Sequence, residues 1–126
     1  MSEEQNKAIV LAFFEKVLNQ FDPAAAIAEH GGKYYRQHDP IIADGFEGMS
    51  KFIFWIRDNY PRARMHLKRV FADGDFVILH CNWVRVPGER GEAVIDIFRL
   101  ESGKVVEHWD VIQPIPETSA NNNTMF

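Results

Sequence analysis

The chain has 126 residues, 46% of them hydrophobic and 25% charged, which is enough for one domain, 1–126, with a core of its own. A net charge of −4 speaks against a general nucleic-acid binder, and the one basic cluster, Arg62, Arg64, Lys68 and Arg69, reads as a solvated strand face. Cys81 is the single cysteine, so no internal disulfide is expected and a reducing cytoplasm fits; no signal-peptide pattern and no apolar run near the ~20 residues of a membrane span is expected to add a membrane partner.

Ser2-Glu3-Glu4-Gln5 fits a capping box, and Ile9, Val10, Phe13, Phe14, Val17, Leu18 and Phe21 follow at helical spacing. This predicts a first helix over about 3–19. Asp22-Pro23 places an N-cap before a proline at the first helical position, and Gly31-Gly32 stops the second, short helix. Residues 33–38 read as a strand ended by Asp39-Pro40. A loop through Asp44-Gly45-Phe46-Glu47-Gly48 leads to a third helix over 49–60, with Pro61 as its terminator.

From there the pattern is strand only. Residues 63–71 and 75–86 flank Ala72-Asp73-Gly74, a strong hairpin signal. Two more strands are predicted over 92–100 and 104–113, and Pro114 and Pro116 end the sheet. A polar tail containing Asn121-Asn122-Asn123 follows from about residue 117 and is expected to be flexible or to drape over a neighbour. Helices first and an antiparallel meander after them make an α+β fold. A meander this long curls, and helices packed in its concave side leave a pocket.

The last strand carries the most informative stretch, Glu107-His108-Trp109-Asp110 between Val105-Val106 and Val111-Ile112. Alternation points His108 and Asp110 one way, with Val106 and Ile112, and Glu107 and Trp109 the other. A titratable pair among apolar residues is where a pKa can be tuned for proton transfer. Across the other strands, His80, Asn82 and Asp96 are expected to converge with His108 and Asp110 on the pocket face, and His38 to join them from the first strand. Tyr35, Trp55 and Phe98 are read as packing or lining residues of the same pocket. Trp83, Ile95, Ile97, Trp109 and Val111 are expected on the opposite face, as the interface of a homodimer. The five histidines show no helical i, i+4 pair and no Cys/His metal spacing, so no metal is expected. No nucleophile elbow, phosphate loop or dinucleotide fingerprint occurs.

Element order and motif together resemble the SnoaL-like polyketide cyclases of the nuclear transport factor 2-like superfamily. The carrying residues are Tyr35-Arg36-Gln37-His38-Asp39-Pro40, Gly45-x-x-Gly48, Asp96-Ile97-Phe98-Arg99-Leu100, Gly103-Lys104-Val105-Val106 and Glu107-His108-Trp109-Asp110-Val111. The resemblance spans about residues 5–116. It implies a cone built from a bent, mainly antiparallel sheet and three helices, often dimeric. It implies Asp110 as the acid/base of an aldol-type cyclisation, with His108 as a pocket histidine. Asp96 stands where the resembling cyclases carry another histidine. The superfamily also holds isomerases, hydrolases, dehydratases and non-catalytic binding proteins.

These readings converge on acid/base chemistry on a small apolar carbonyl substrate, with Asp110, His108 and Asp96 as the acid/base group and no cofactor. Hydrolysis or dehydration in the same pocket, or an inert ligand-binding or dimerisation module, are the alternatives.

Overall fold

The computed structural model describes residues 1–126. Three helices, α1 (Glu3–Phe14), α2 (Pro23–His30) and α3 (Gly45–Asn59), pack on five strands, β1 (Gly31–Gln37), β2 (Arg64–Asp73), β3 (Phe76–Val84), β4 (Glu92–Glu101) and β5 (Lys104–Pro114). The sheet order is β1-β5-β4-β3-β2. All neighbours are antiparallel except β1, which runs parallel to β5. The sheet is open and the architecture is α+β, as the element order predicts.

The helix ends form for the local reasons seen in the sequence. Ser2 Oγ accepts from the Gln5 amide at 3.1 Å while Gln5 Oε1 accepts from the Ser2 amide at 2.8 Å, closing the capping box. Asp22 Oδ1 accepts from the Ala25 amide, with Pro23 behind it. Beyond α1 the helix widens into a π-helical turn over Glu15–Asn19. Asn19 then fastens this end to β2, donating to the Met65 carbonyl at 3.1 Å and accepting from its amide at 2.8 Å.

The third helix starts earlier than its apolar spacing indicates, at Gly45 rather than Met49. Gly45 has φ 77°, and a Cβ at Gly48 would lie 1.8 Å from the Ala43 carbonyl oxygen. The Gly45-x-x-Gly48 pair thus lets the loop after β1 fold tightly onto the helix. Asp44 anchors the same corner, its Oδ1 accepting from the Gln37 amide at 2.8 Å.

The core fills the space between the concave sheet face and the helices. Phe13, Ile53, Ile56, Leu79 and Leu100 are among its fully buried side chains. Burying side chains of this size stabilises the fold by about 1.5–3 kcal/mol each. Phe98 meets Phe13 and Phe14 edge-on, both at 6.0 Å. The convex face leaves apolar surface exposed at Phe71, Phe76, Ile95 and Val111. The end of the tail returns to this face. Phe126 packs on His80 with ring centroids 5.3 Å apart and lies under Lys68 Nζ at 5.1 Å. No helix is long and apolar enough to cross a membrane.

Strand register corrects several expected faces. Leu79 pairs with Asp96 and His80 with Ile95, so odd positions of β3 share a face with even positions of β4. His80 and Asn82 therefore lie on the convex face, and Trp83 on the concave one. Alternation within a strand cannot show this, because the loop over Arg85–Gly91 sets which parity meets which. In β5 a register shift precedes Glu107, at Val106: Arg99 pairs with Glu107, but Leu100 pairs with Val105. The extra residue puts Val105, not Val106, in the core cluster with the wall that carries His108.

Candidate active site

A cavity of about 80 Å³ lies between the concave sheet face and the helices, its wall mostly apolar. Phe14, Val17, Phe52, Trp83 and Phe98 supply much of that wall. Into it converge Tyr35, Gln37, Asp39, Arg85, Asp96, His108 and Asp110. Asp96 and Asp110 are direct partners across β4 and β5, and Phe98 and His108 are the next inward-facing pair. Gln37 pairs with His108 from β1, which brings the last residue of that strand to the same place.

His108, 6% exposed, is held from both sides. Its Nδ1 lies 2.8 Å from Gln37 Oε1, and its Nε2 lies 2.8 Å from Asp96 Oδ1. The amide of Asp39 donates to the same Gln37 oxygen at 3.0 Å. A backbone N–H only donates, so this bond fixes the orientation of the Gln37 amide. His108 Nδ1 must then carry a hydrogen and donate to Gln37. One further proton is shared between His108 Nε2 and Asp96 Oδ1. The ring is also sandwiched by packing, 4.7 Å from Phe98 and 6.4 Å from a parallel Tyr35. Asp96 is 3% exposed, and its second oxygen, Oδ2, has no partner.

Asp110 is the perturbed carboxyl of the site. Burial pushes its pKa up to about 8, and a hydrogen bond and repulsion from Asp39, with repulsion from Asp96, act in the same direction. Asp110 Oδ2 lies 3.9 Å from His108 Nε2, close enough for attraction but beyond a hydrogen bond. Asp39, 5% exposed, is fixed by accepting from the Ile41 amide at 2.9 Å. Two carboxyl groups that touch in an apolar setting cannot both ionise cheaply, so they hold a proton between them near neutral pH. Burial also raises the Tyr35 phenol well above its ordinary value, so it stays protonated.

Asp96, His108 and Asp110 offer ligand atoms within 4.8 Å of one another. A cation bound there would displace the proton shared by Asp96 and His108, because these two atoms are already at hydrogen-bond distance.

Of the residues singled out from sequence, Asp110, His108, Asp96, Tyr35 and Phe98 line the cavity. His38, His80, Asn82 and Trp55 do not. His38 lies on the convex side, stacked on Trp109 at 4.7 Å and bonded to Glu107 at 2.7 Å. His80 contacts Arg69, and Asn82 donates to the Arg90 and Glu92 carbonyls, each at 3.2 Å. Trp55 is 49% exposed on α3 and packs on Phe52 and Tyr60. The reading from sequence missed Gln37, Asp39, Trp83 and Arg85. Asp39 had a visible signal in Gln37-His38-Asp39-Pro40: a carboxylate at a strand end, held by proline at the corner. Arg85 had none beyond its parity with Trp83.

Comparison with known proteins assigns the chain. The family model for the SnoaL-like domain matches residues 10–108. The chain belongs to the SnoaL-like family. TsrD from Streptomyces laurentii has the same fold, with 20% identity, TM-score 0.72 and coverage of 89% of this chain and 90% of that one. AclR from Streptomyces galilaeus, described as a candidate hydroxylase, is 25% identical with TM-score 0.69, covering 90% and 81%. A candidate ketosteroid isomerase from Kribbella flavida is 17% identical with TM-score 0.72, covering 96% and 87%. No curated protein matches the chain. Two of these structures of one fold are thus described with different reactions, and the chemistry of this chain has to be argued from its own site.

Proposed function

We propose that this SnoaL-like protein catalyses proton transfer on a small apolar carbonyl compound, by isomerisation or aldol-type ring closure. The observation that carries this reading is Asp110, a carboxyl with its pKa near 8 on the wall of an apolar cavity. A carboxylate with so high a pKa is a far stronger base than an ordinary one, and it titrates near the working pH. In the reaction Asp110 takes the proton α to the substrate carbonyl. The proton shared by His108 and Asp96 moves toward the carbonyl oxygen as negative charge develops there. Return of the Asp110 proton to a different carbon completes an isomerisation. Attack of the enolate carbon on a second carbonyl of the same molecule closes a ring, and the alkoxide so formed takes the Asp110 proton, which restores the base. Gln37 keeps His108 in the required orientation, and Asp39 keeps Asp110 basic.

The direct test is exchange of α-protons in D2O, followed by NMR, across a panel of cyclic and aryl ketones. The reading expects exchange with at least one compact ketone and its loss in Asp110→Asn. Equal exchange by the variant would falsify the assignment.

The volume of about 80 Å³ favours a compact reacting part over a multi-ring one, and it is also the observation that favours an inert binding pocket. Binding of a ketone by wild type and Asp110→Asn alike, with exchange in neither, selects the inert pocket. We also propose that the convex face pairs with a second copy of the chain, through exposed Phe76, Ile95 and Val111. Trp83 has no part in that face. Light scattering should give twice the monomer mass, and Val111→Glu should return it to the monomer.

A further inference from the structure

The cavity opens beside a second depression, wider and polar, formed by the loop after β3 and the end of β5. Its volume is about 770 Å³. Trp83 and Arg85 line both spaces, so they stand at the junction between them. Arg85 is held there by two contacts. Its guanidinium lies over the Tyr60 ring at 5.6 Å, and its Nη2 is 3.5 Å from Glu92. Its Nε–H, however, is buried and has no acceptor. A buried donor without a partner carries a desolvation cost that an incoming acceptor removes.

From these contacts we infer that Arg85 recognises a carboxylate, and that the substrate is an elongated apolar carbonyl compound with a carboxylate at the end remote from the reacting carbonyl. The inference rests on the proton-transfer reading for the reacting end. Charge distribution sets the orientation. Asp39, Asp96 and Asp110 share the cavity wall, and even with the protons they hold their net negative charge opposes an anion beside them, whereas Arg85 is the one arginine or lysine on that wall. Spacing sets the length. Asp96 pairs with Leu79, and Arg85 is six residues further on, one past the end of β3, so the two backbones are separated by at most about 20 Å at the rise of a strand, before subtracting side-chain reach. Local charge sets the valence. Glu89 and Glu92 share the depression with Arg85 and Arg90, which suits a monoanion and opposes a phosphate dianion. The Nε–H and Nη nitrogens of arginine form the fork that a carboxylate accepts in two parallel bonds.

The test compares 9-oxodecanoate with its methyl ester by isothermal titration at pH 7, on wild type, Arg85→Met, Arg85→Lys and Asp110→Asn. Wild type is expected to bind the acid roughly 10- to 100-fold more tightly than the ester, the range of a hydrogen bond to a charged group. Arg85→Met should bind both as weakly as wild type binds the ester, and Arg85→Lys should keep part of the preference. Asp110→Asn should still bind the acid more tightly than the ester, because Arg85 is unaltered. Equal affinity of wild type for acid and ester, no binding of the acid, or an unchanged preference in Arg85→Met overturns the inference. A preserved acid preference with no α-proton exchange in any variant leaves Arg85 as a carboxylate site and overturns only the proton-transfer reading.

Discussion

Strand β5 carries two carboxylate–histidine clusters on opposite faces, and they are built to opposite ends. On the convex side, Glu107 is saturated. It meets His38 at 2.7 Å, Arg99 at 2.8 Å and Arg36 at 3.8 Å. Burial acts to raise its pKa, but these three partners outweigh it and leave Glu107 below its ordinary value. Arg99 also bonds Tyr34 and Glu101, which ties β1 to β4 and β5. On the concave side, one histidine meets two carboxyl groups, Asp96 and Asp110, and Asp39 adds a third beside Asp110. Asp96 keeps an unpartnered oxygen, and Asp110 rises to about 8. The face supplied with cations holds the sheet together. The site around Asp110, with no arginine or lysine acting on it, stores a proton near neutral pH. One residue of strand separates the two environments, so the difference comes from what each face packs against.

The contrast breaks most sharply at Asp110. Asp110→Asn should cut α-proton exchange by about 10²–10⁴-fold, the usual size of a lost general base. Wild-type exchange should rise with pH through about 8, because the base must be ionised. Stability should move the other way. Asp110 has a folded pKa above its unfolded value of 3.8, so its contribution is present below pH 4 and is lost as pH rises toward and through 8. The melting temperature of Asp110→Asn minus that of wild type should therefore grow between pH 4 and pH 8. A constant difference would show that the folded pKa is not raised.

Glu107→Gln should do the reverse. It strands Arg99 and His38, and after allowance for their partial exposure it should cost about 2 kcal/mol in urea unfolding at pH 7. Glu107 has a folded pKa below 4.5, so this loss should shrink as pH falls below that value. Exchange activity of the folded variant should stay near wild type. Asp39→Asn is a finer probe. Removing the charge beside Asp110 should shift the limb of the exchange profile to lower pH. An unmoved limb would remove Asp39 from the acid/base pair. The smallest effect is expected at His80, which lies on the convex face. His80→Ala should change stability by about 0.5 kcal/mol or less and leave exchange unaltered. A large loss of exchange there would contradict the face assignment.

The parts of this molecule that depend on neighbours in sequence were legible in the chain. The capping box at Ser2, the proline start at Pro23 and the hairpin at Asp73-Gly74 each need only a few adjacent residues. So does the pairing of His108 with Asp110 on one face, which follows from the period of a strand. The motifs also pointed to the SnoaL-like family before any geometry was known. What was not legible depended on contacts between distant strands. His80 and Asn82 were placed with Asp96 because each strand alternates correctly by itself, whereas the parity between β3 and β4 is set by how the Arg85–Gly91 loop closes. Val106 was placed with His108 because a bulge leaves no mark in a run of β-branched residues.

The amino-acid sequence by itself determined the element order, the α+β class and the presence of a buried titratable pair on the last strand. These follow from periodicity and capping, which act over a turn or a strand. Tertiary structure alone decided which carboxyl groups touch. Asp39 and Asp110 lie far apart in the chain and meet only because β1 runs parallel to β5. That contact, together with burial, turns an ordinary aspartate into a group that titrates near pH 8. A pKa is a property of surroundings, and the surroundings of Asp110 bring together β4, β5 and the corner after β1.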